Sequence, residues 1–152
     1  MGTPGPRATT RQTPKPQPPA GDLAATEADI EAIAAFRYAI RRFLRFSEQA
    51  ARREHITPQQ HQLLLAIKGF PNRDHATVSE LAHRLQMRQH SVVGLIDRTA
   101  RVGLVRRERG TQDRREVFIY ITPDGEALLA RLTELHRQEL VTMRDALSGI
   151  TE

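Results

Sequence analysis

From Thr26 onward the chain is organised by long helical stripes, interrupted once by a stretch of different period. Ile33, Phe36, Ile40, Phe43, Leu44 and Ser47 recur at three- and four-residue steps, the spacing that puts side chains on one face of an α-helix. With Thr26 as N-cap they predict a first helix running to about Arg53, flanked by Arg37, Arg41, Arg42 and Arg45. Thr57-Pro58-Gln59-Gln60 opens a second helix. Thr57 caps, Pro58 occupies the first turn where its missing N–H costs nothing, and Gln60 completes a capping box. Leu63, Leu64 and Ile67 follow, and Gly69 and Pro71 stop the helix. Residues 71–76 read as a polar loop.

Thr77-Val78-Ser79-Glu80 is another capping box, beginning a short helix through Leu85. A break at Gln86-Met87-Arg88 precedes a helix from about Gln89 to Val102, stopped by Gly103. Two short helices about three residues apart fit a helix-turn-helix, with Leu81, Ala82, Leu85, Met87, Val92, Leu95 and Ile96 as their mutual core. The period then falls to two. Leu104 to Arg109 and Arg115 to Ile121 read as strands, joined by the polar loop Gly110-Thr111-Gln112-Asp113-Arg114. Thr122-Pro123 starts a last helix carrying Leu128, Leu132, Leu135, Leu140, Met143 and Leu147.

The predicted fold is mainly α with a small β-hairpin wing, an α+β arrangement. Its helix-turn-helix occupies about 77–102, its wing about 103–122 and its C-terminal helix about 123–147, in one domain from residue 23. The two long helices have more apolar face than one small core uses, which marks them as candidate oligomer interfaces. Residues 1–22 hold six of the nine prolines and, beyond Met1, no large apolar anchor. They read as a disordered tail, a passive leader more than a DNA-brushing arm built on Arg7, Arg11 and Lys15.

A length of 152 residues suits a single domain. There is no cysteine, which removes disulfides, thiolate metal sites and thiol redox sensing. No apolar run approaches the roughly 20 residues of a membrane span, and no secretory signal is evident, so the cytoplasm is the expected compartment. The net charge of +5 matters through its position. Residues 77–115 contain nine arginines against four acids, an excess equal to that of the whole chain. Arginine at that density favours a nucleic-acid partner over a merely solvated surface. The six histidines are scattered without metal spacing, and no nucleophile set or phosphate-cradling glycine loop is present. No enzyme activity, metal or cofactor is expected.

A recognition helix presents its first turns to base edges in the major groove. Here those side chains are Arg88, Gln89, His90 and Ser91, with Val93, Gly94 and Arg98 beyond. Gln89 suits adenine, Arg88 or Arg98 guanine or phosphate, and Val93 a thymine methyl. Arg114 and Arg115, on a loop too polar to pack, suit the narrow minor groove. Asp97 and Asp113 are the carboxylates available to orient them.

Taken together, Val78-Ser79-Glu80-Leu81-Ala82 with Leu85, Ser91 to Arg98, Gly103-Leu104-Val105-Arg106-Arg107, Asp113-Arg114-Arg115 and Ile121-Thr122-Pro123-Asp124-Gly125 resemble the MarR family of winged-helix regulators, over roughly Thr57 to Leu140. The resemblance implies a homodimer, held by the N- and C-terminal helices, on double-stranded DNA with a pseudo-palindromic operator. It implies repression, less often activation, relieved by a small phenolic or aromatic effector. It also places the family's wing arginine at Arg115, with Asp113 opening that motif and Asp97 as the helix aspartate that steadies it. Phe43, Phe46, His61 and Leu65 fall where an effector pocket would lie, although core packing explains them equally well. Three departures stand out. Arg88 replaces the usual Ser or Thr cap, and Gly94 sits mid-helix at a cost of about 1 kcal/mol against Ala. The sequence stops at Glu152, where the family adds one more dimerisation helix, leaving a short member and a truncated chain both open. The rival reading is a winged helix used for protein contacts without DNA, which would be expected to lose the basic wing.

Overall fold

Three threonines start three helices in the same way. Thr26, Thr57 and Thr77 each accept a hydrogen bond from the backbone N–H three residues on, and the side chain there reaches back to the threonine N–H. The return bonds, to Asp29, Gln60 and Glu80, are 2.7, 2.9 and 2.9 Å. Caps of this kind are worth about 1 kcal/mol each. In the computed structural model, which describes residues 25–148, they open α1 (Glu27–Arg53), α2 (Pro58–Lys68) and α3 (Val78–Leu85). The elements α4 (Gln89–Arg101) and α5 (Pro123–Ser148) complete the helices. The proposed tail at 1–22 lies outside the described residues, as does the side chain of Leu147.

Three of the helices also end alike. Ile56, Met87 and Leu104 donate their N–H to the carbonyls of Ala51, Ala82 and Thr99, five residues back. The residues before them, His55, Gln86 and Gly103, are left-handed with φ of 60°, 53° and 77°. This wrap satisfies the last carbonyls and turns the following apolar side chain onto the core. Only Gly103 enters that region without steric cost.

The strands β1 (His75–Thr77), β2 (Val105–Arg109) and β3 (Val117–Ile121) form one antiparallel sheet in the order β1-β3-β2. The polar loop expected at 71–76 therefore ends in a strand, with Ala76 opposite Ile119. Three residues show no period, and their pairing comes from β3, some forty positions later. The second wing strand begins at Val117 rather than Arg115, because Glu116 is taken up in closing the turn.

Leu63, Leu64 and Ile67 of α2, Leu81 of α3, Val92, Leu95 and Ile96 of α4, Ile119 of β3 and Leu132 of α5 are almost fully buried. The core thus lies under the winged helix, with α2 at its centre. Of the mutual-core residues expected from sequence, Leu85 and Met87 are half-buried and the rest are buried. α1 adds only Ala50 and Ala51. Its earlier stripe stands open, with Ile33, Phe36 and Leu44 exposed, and so do Leu135 and Leu140 of α5. Ion pairs from Lys68 to Glu126 and from Arg131 to Glu54 tie α5 to α2 and to the end of α1. Among the described residues no helix is long and apolar enough to cross a membrane.

Candidate nucleic-acid interface

α4 turns Val92, Leu95, Ile96 and Thr99 inward. Thr99 remains compatible with the core because its hydroxyl donates to the Leu95 carbonyl at 2.7 Å. The opposite face is therefore free. Arg88, Gln89, His90, Val93 and Arg98 are exposed, and Ser91 and Gly94 are partly covered. Arg88 takes the N-cap position without a side-chain cap bond, so the first N–H groups of α4 keep no local partner from that side chain. A Cβ on Gly94 would meet Arg98 Nη1 at 3.3 Å. The guanidinium lies over the glycine, and a flexible side chain of that kind can move aside.

The wing turns tightly. Gly110 N–H donates to Glu116 O at 2.9 Å and Glu116 N–H to Asp113 O at 3.2 Å. A Cβ on Gly110 would stand 2.5 Å from Asp113 O, so only glycine fits there. Asp113 accepts the Arg115 backbone N–H at 2.8 Å. It shapes the turn rather than holding a guanidinium. Asp97 is engaged by Arg107 at 2.7 Å, at the base of the wing rather than its tip. Arg114 and Arg115 point out unpaired among the described residues, and Arg114 joins Arg109 around a cleft of about 430 Å³ at the tip.

The arginines of 77–115 separate into two groups. Arg84 lies 3.9 Å over the Phe70 ring, with Arg73 on that ring at 4.1 Å. Arg106 is paired with Glu108 and stacked on Tyr120, and Arg107 is held by Asp97. All four acids are spoken for as well, since Glu80 binds Arg73 and the Thr77 N–H while Asp113 binds Arg115 N–H. Arg88, Arg98, Arg101, Arg109, Arg114 and Arg115 are left with neither an ion pair nor a ring stack among the described residues. Arg107 is the residue that sequence reasoning did not single out. Arg106 and Arg107 are indistinguishable as letters, and only strand alternation turns one toward α4 and the other away.

The four residues considered for an effector pocket do not form one group. Phe43, Phe46 and His61 gather round His136, with ring centroids 5.8, 5.3 and 4.9 Å away. Leu65 is exposed elsewhere, beside Arg84 and Leu85. His136 donates from Nδ1 to the Leu132 carbonyl at 2.6 Å, and its Nε2 meets the Ser47 hydroxyl at 2.9 Å. Burial, and then the neighbouring His136, lower the pKa of His61 from 6.5 to about 4.

A helix-turn-helix with a three-stranded sheet, an exposed second helix and a basic wing defines a winged helix-turn-helix. The model of the MarR family matches residues 56–116, from the turn before α2 into the wing. It is 31% identical over 91 residues to the homoprotocatechuate degradative operon repressor of Escherichia coli, covering 57% of this chain and 60% of that one. It is 35% identical over 68 residues to the HTH-type transcriptional repressor YetL of Bacillus subtilis, covering 44% and 41%. The match thus spans about half the length of these curated relatives. In fold the chain is similar to AbsC, a MarR family transcriptional regulator from Streptomyces coelicolor, with TM-score 0.66, 20% identity and 79% and 80% of the two chains covered. It is also similar to MepR of S. aureus in a DNA complex, with TM-score 0.63, 22% identity and 74% and 82% covered.

Proposed function

We propose that this chain is a sequence-specific regulator of transcription, not an enzyme, that binds double-stranded DNA as a homodimer on a pseudo-palindromic operator. The observation that carries the reading is the set of six uncommitted arginines around an exposed α4, in a segment whose acids are all satisfied locally. Gln89, His90, Ser91 and Val93, with Arg88 and Arg98, read bases along the major groove over Gly94, where the backbone comes closest. Arg114 and Arg115 enter the minor groove. Asp113 fixes the turn under Arg115, and Asp97 steadies the wing through Arg107.

Two such heads must stand roughly 34 Å apart to meet successive turns of DNA. The open apolar stripes of α1 and α5 supply the surface that joins them. Repression is the direction that the names of its relatives favour, and relief by a small aromatic ligand is what the family resemblance implies. Such a regulator works in the cytoplasm.

Selection of bound fragments from the encoding genome, followed by a salt titration on the selected site, tests the reading. Each phosphate contact adds about −0.9 to the slope of log K against log salt, so a slope steeper than about −3 is expected. A slope near zero, or no selected sequence, overturns it in favour of a protein-binding winged helix.

A further inference from the structure

Three helix ends meet around an open groove of about 370 Å³ that the proposed DNA contacts do not use. Its volume lies in the range of small-molecule sites. Ile56, just past α1, Leu104, just past α4, and Leu128 of α5 are buried and form an apolar floor. Val102, the residue that ends α4, forms one wall and is 58% exposed, a large apolar side chain left open to water. This groove lies apart from the aromatic cluster around His136.

The polar rim has a definite sign. α1 and α4 both arrive by their C-terminal ends, each carrying a partial negative charge of roughly half an electron, and the N-terminal end of α5 brings a positive one of about the same size that offsets one of them. Arg131 is neutralised, since its Nε and Nη2 both donate to Glu54 Oε2 at 3.2 and 3.0 Å. Asp124, on the first turn of α5, has no ion pair among the described residues. His55 completes the titratable groups of the lining. In a chain of net charge +5, this groove is a local negative spot with an apolar floor.

The geometry points to a binding site for a small organic cation, with its apolar body on Ile56, Leu104 and Leu128 and its charged head at Asp124. An anion would meet Asp124 and two helix C-termini, offset only by the N-terminal end of α5. A neutral apolar molecule would leave the carboxylate unmatched. Occupancy bears on the joint between recognition helix and wing. The carbonyls of Gly103 and Leu104 accept the Thr122 hydroxyl and N–H at 2.6 and 3.0 Å, so a body wedged against Leu104 presses on the link that sets α4 against α5. The site stands independently of the DNA-binding function proposed above, whereas this regulatory effect rests on it.

The test is a titration of the full chain, without DNA, with benzyltrimethylammonium, followed by amide NMR. Benzoate and benzyl alcohol serve as matched anion and neutral probes. Shifts are expected to centre on Ile56, Val102, Leu104 and Leu128, with the cation at least fivefold tighter than either control. Asp124→Asn is expected to erase that preference, and Ala127→Trp, which fills the groove, to abolish the shifts. The remaining amides report whether each variant is folded. Equal binding of benzoate, shifts centred on the exposed stripes of α1 and α5, or an unchanged preference in Asp124→Asn overturns the site. In DNA anisotropy the cation is expected to alter wild-type affinity at least threefold and to leave Ala127→Trp unmoved. Binding in the groove without any change in anisotropy overturns the regulatory effect alone.

Discussion

The winged helix and the two long helices use apolar residues in opposite ways. In the winged helix Leu81, Val92, Leu95, Ile96 and Ile119 are inside, and the surface is left to arginine. Along one face of α1 and the later half of α5, large apolar residues stand open to water, with Phe36 46% and Leu140 52% exposed. A face of that kind is costly in water, since covering a large apolar side chain is worth about 1.5–3 kcal/mol. The first region buries its apolar residues within a single chain. The second leaves many of them on the surface.

Phe36→Glu tests that contrast most severely. A charge in the middle of the open stripe is expected to leave the winged helix folded and the chain monomeric. Losing the second head removes the multivalent gain, so operator affinity should fall by about 10²–10⁴ while binding to a single half-site hardly changes. Sedimentation velocity and anisotropy on full and half operators check this. A dimer that survives the substitution would place the contact elsewhere.

Next in size is an acid effect at the seam between the regions, where His61 of α2 packs on His136 of α5. His61 titrates at about 4 in the folded chain against 6.5 normally. Between those values the unfolded chain binds a proton that the folded chain refuses. The stabilisation is therefore complete above pH 6.5 and is lost as pH falls toward 4, to a total of about 3 kcal/mol. His61→Phe should flatten the urea-unfolding midpoint over that window. A variant with the wild-type pH dependence would assign the acid sensitivity to other groups.

Within the winged helix the expected effects are smaller and more specific. Arg115→Ala is expected to weaken binding to any duplex about tenfold and to lower the salt slope by about one contact. Gln89→Ala should instead change which sequence is selected. If both variants behave alike, the division between wing and recognition helix fails.

How much of this could be read beforehand depends on how local each interaction is. Helix starts were legible because a capping box fits within four residues, as at Thr57 and Gln60. The outer face of α4 was legible because its period declares it. β1 was not, since His75, Ala76 and Thr77 become a strand only by pairing with Tyr120, Ile119 and Phe118. Nor was the wing's anchorage. Asp97 and Asp113 were expected to orient the wing-tip arginines, but the guanidinium on Asp97 belongs to Arg107, a choice made by strand alternation, and Asp113 holds only the Arg115 backbone N–H. His136 looked like one of six scattered histidines, yet its Ser47 partner lies 89 residues away in sequence.

The smallest effect concerns the helix ends. His55 and Gln86 hold the same left-handed position as Gly103 without being glycine, a conformation that costs an L-residue roughly 1–2 kcal/mol. Gln86 recovers part of this by donating from Nε2 to the His83 carbonyl at 2.6 Å, whereas His55 has no such bond among the described residues. His55→Gly should therefore stabilise the chain by about 1 kcal/mol, a rise of about 3–5 °C in Tm, and Gln86→Gly by less. Neither is expected to alter DNA affinity, because neither side chain is among the proposed DNA contacts. A Gln86→Gly variant that binds DNA more weakly at unchanged stability would show that the turn between α3 and α4 positions the recognition helix, and would move that turn from the scaffold to the reading surface.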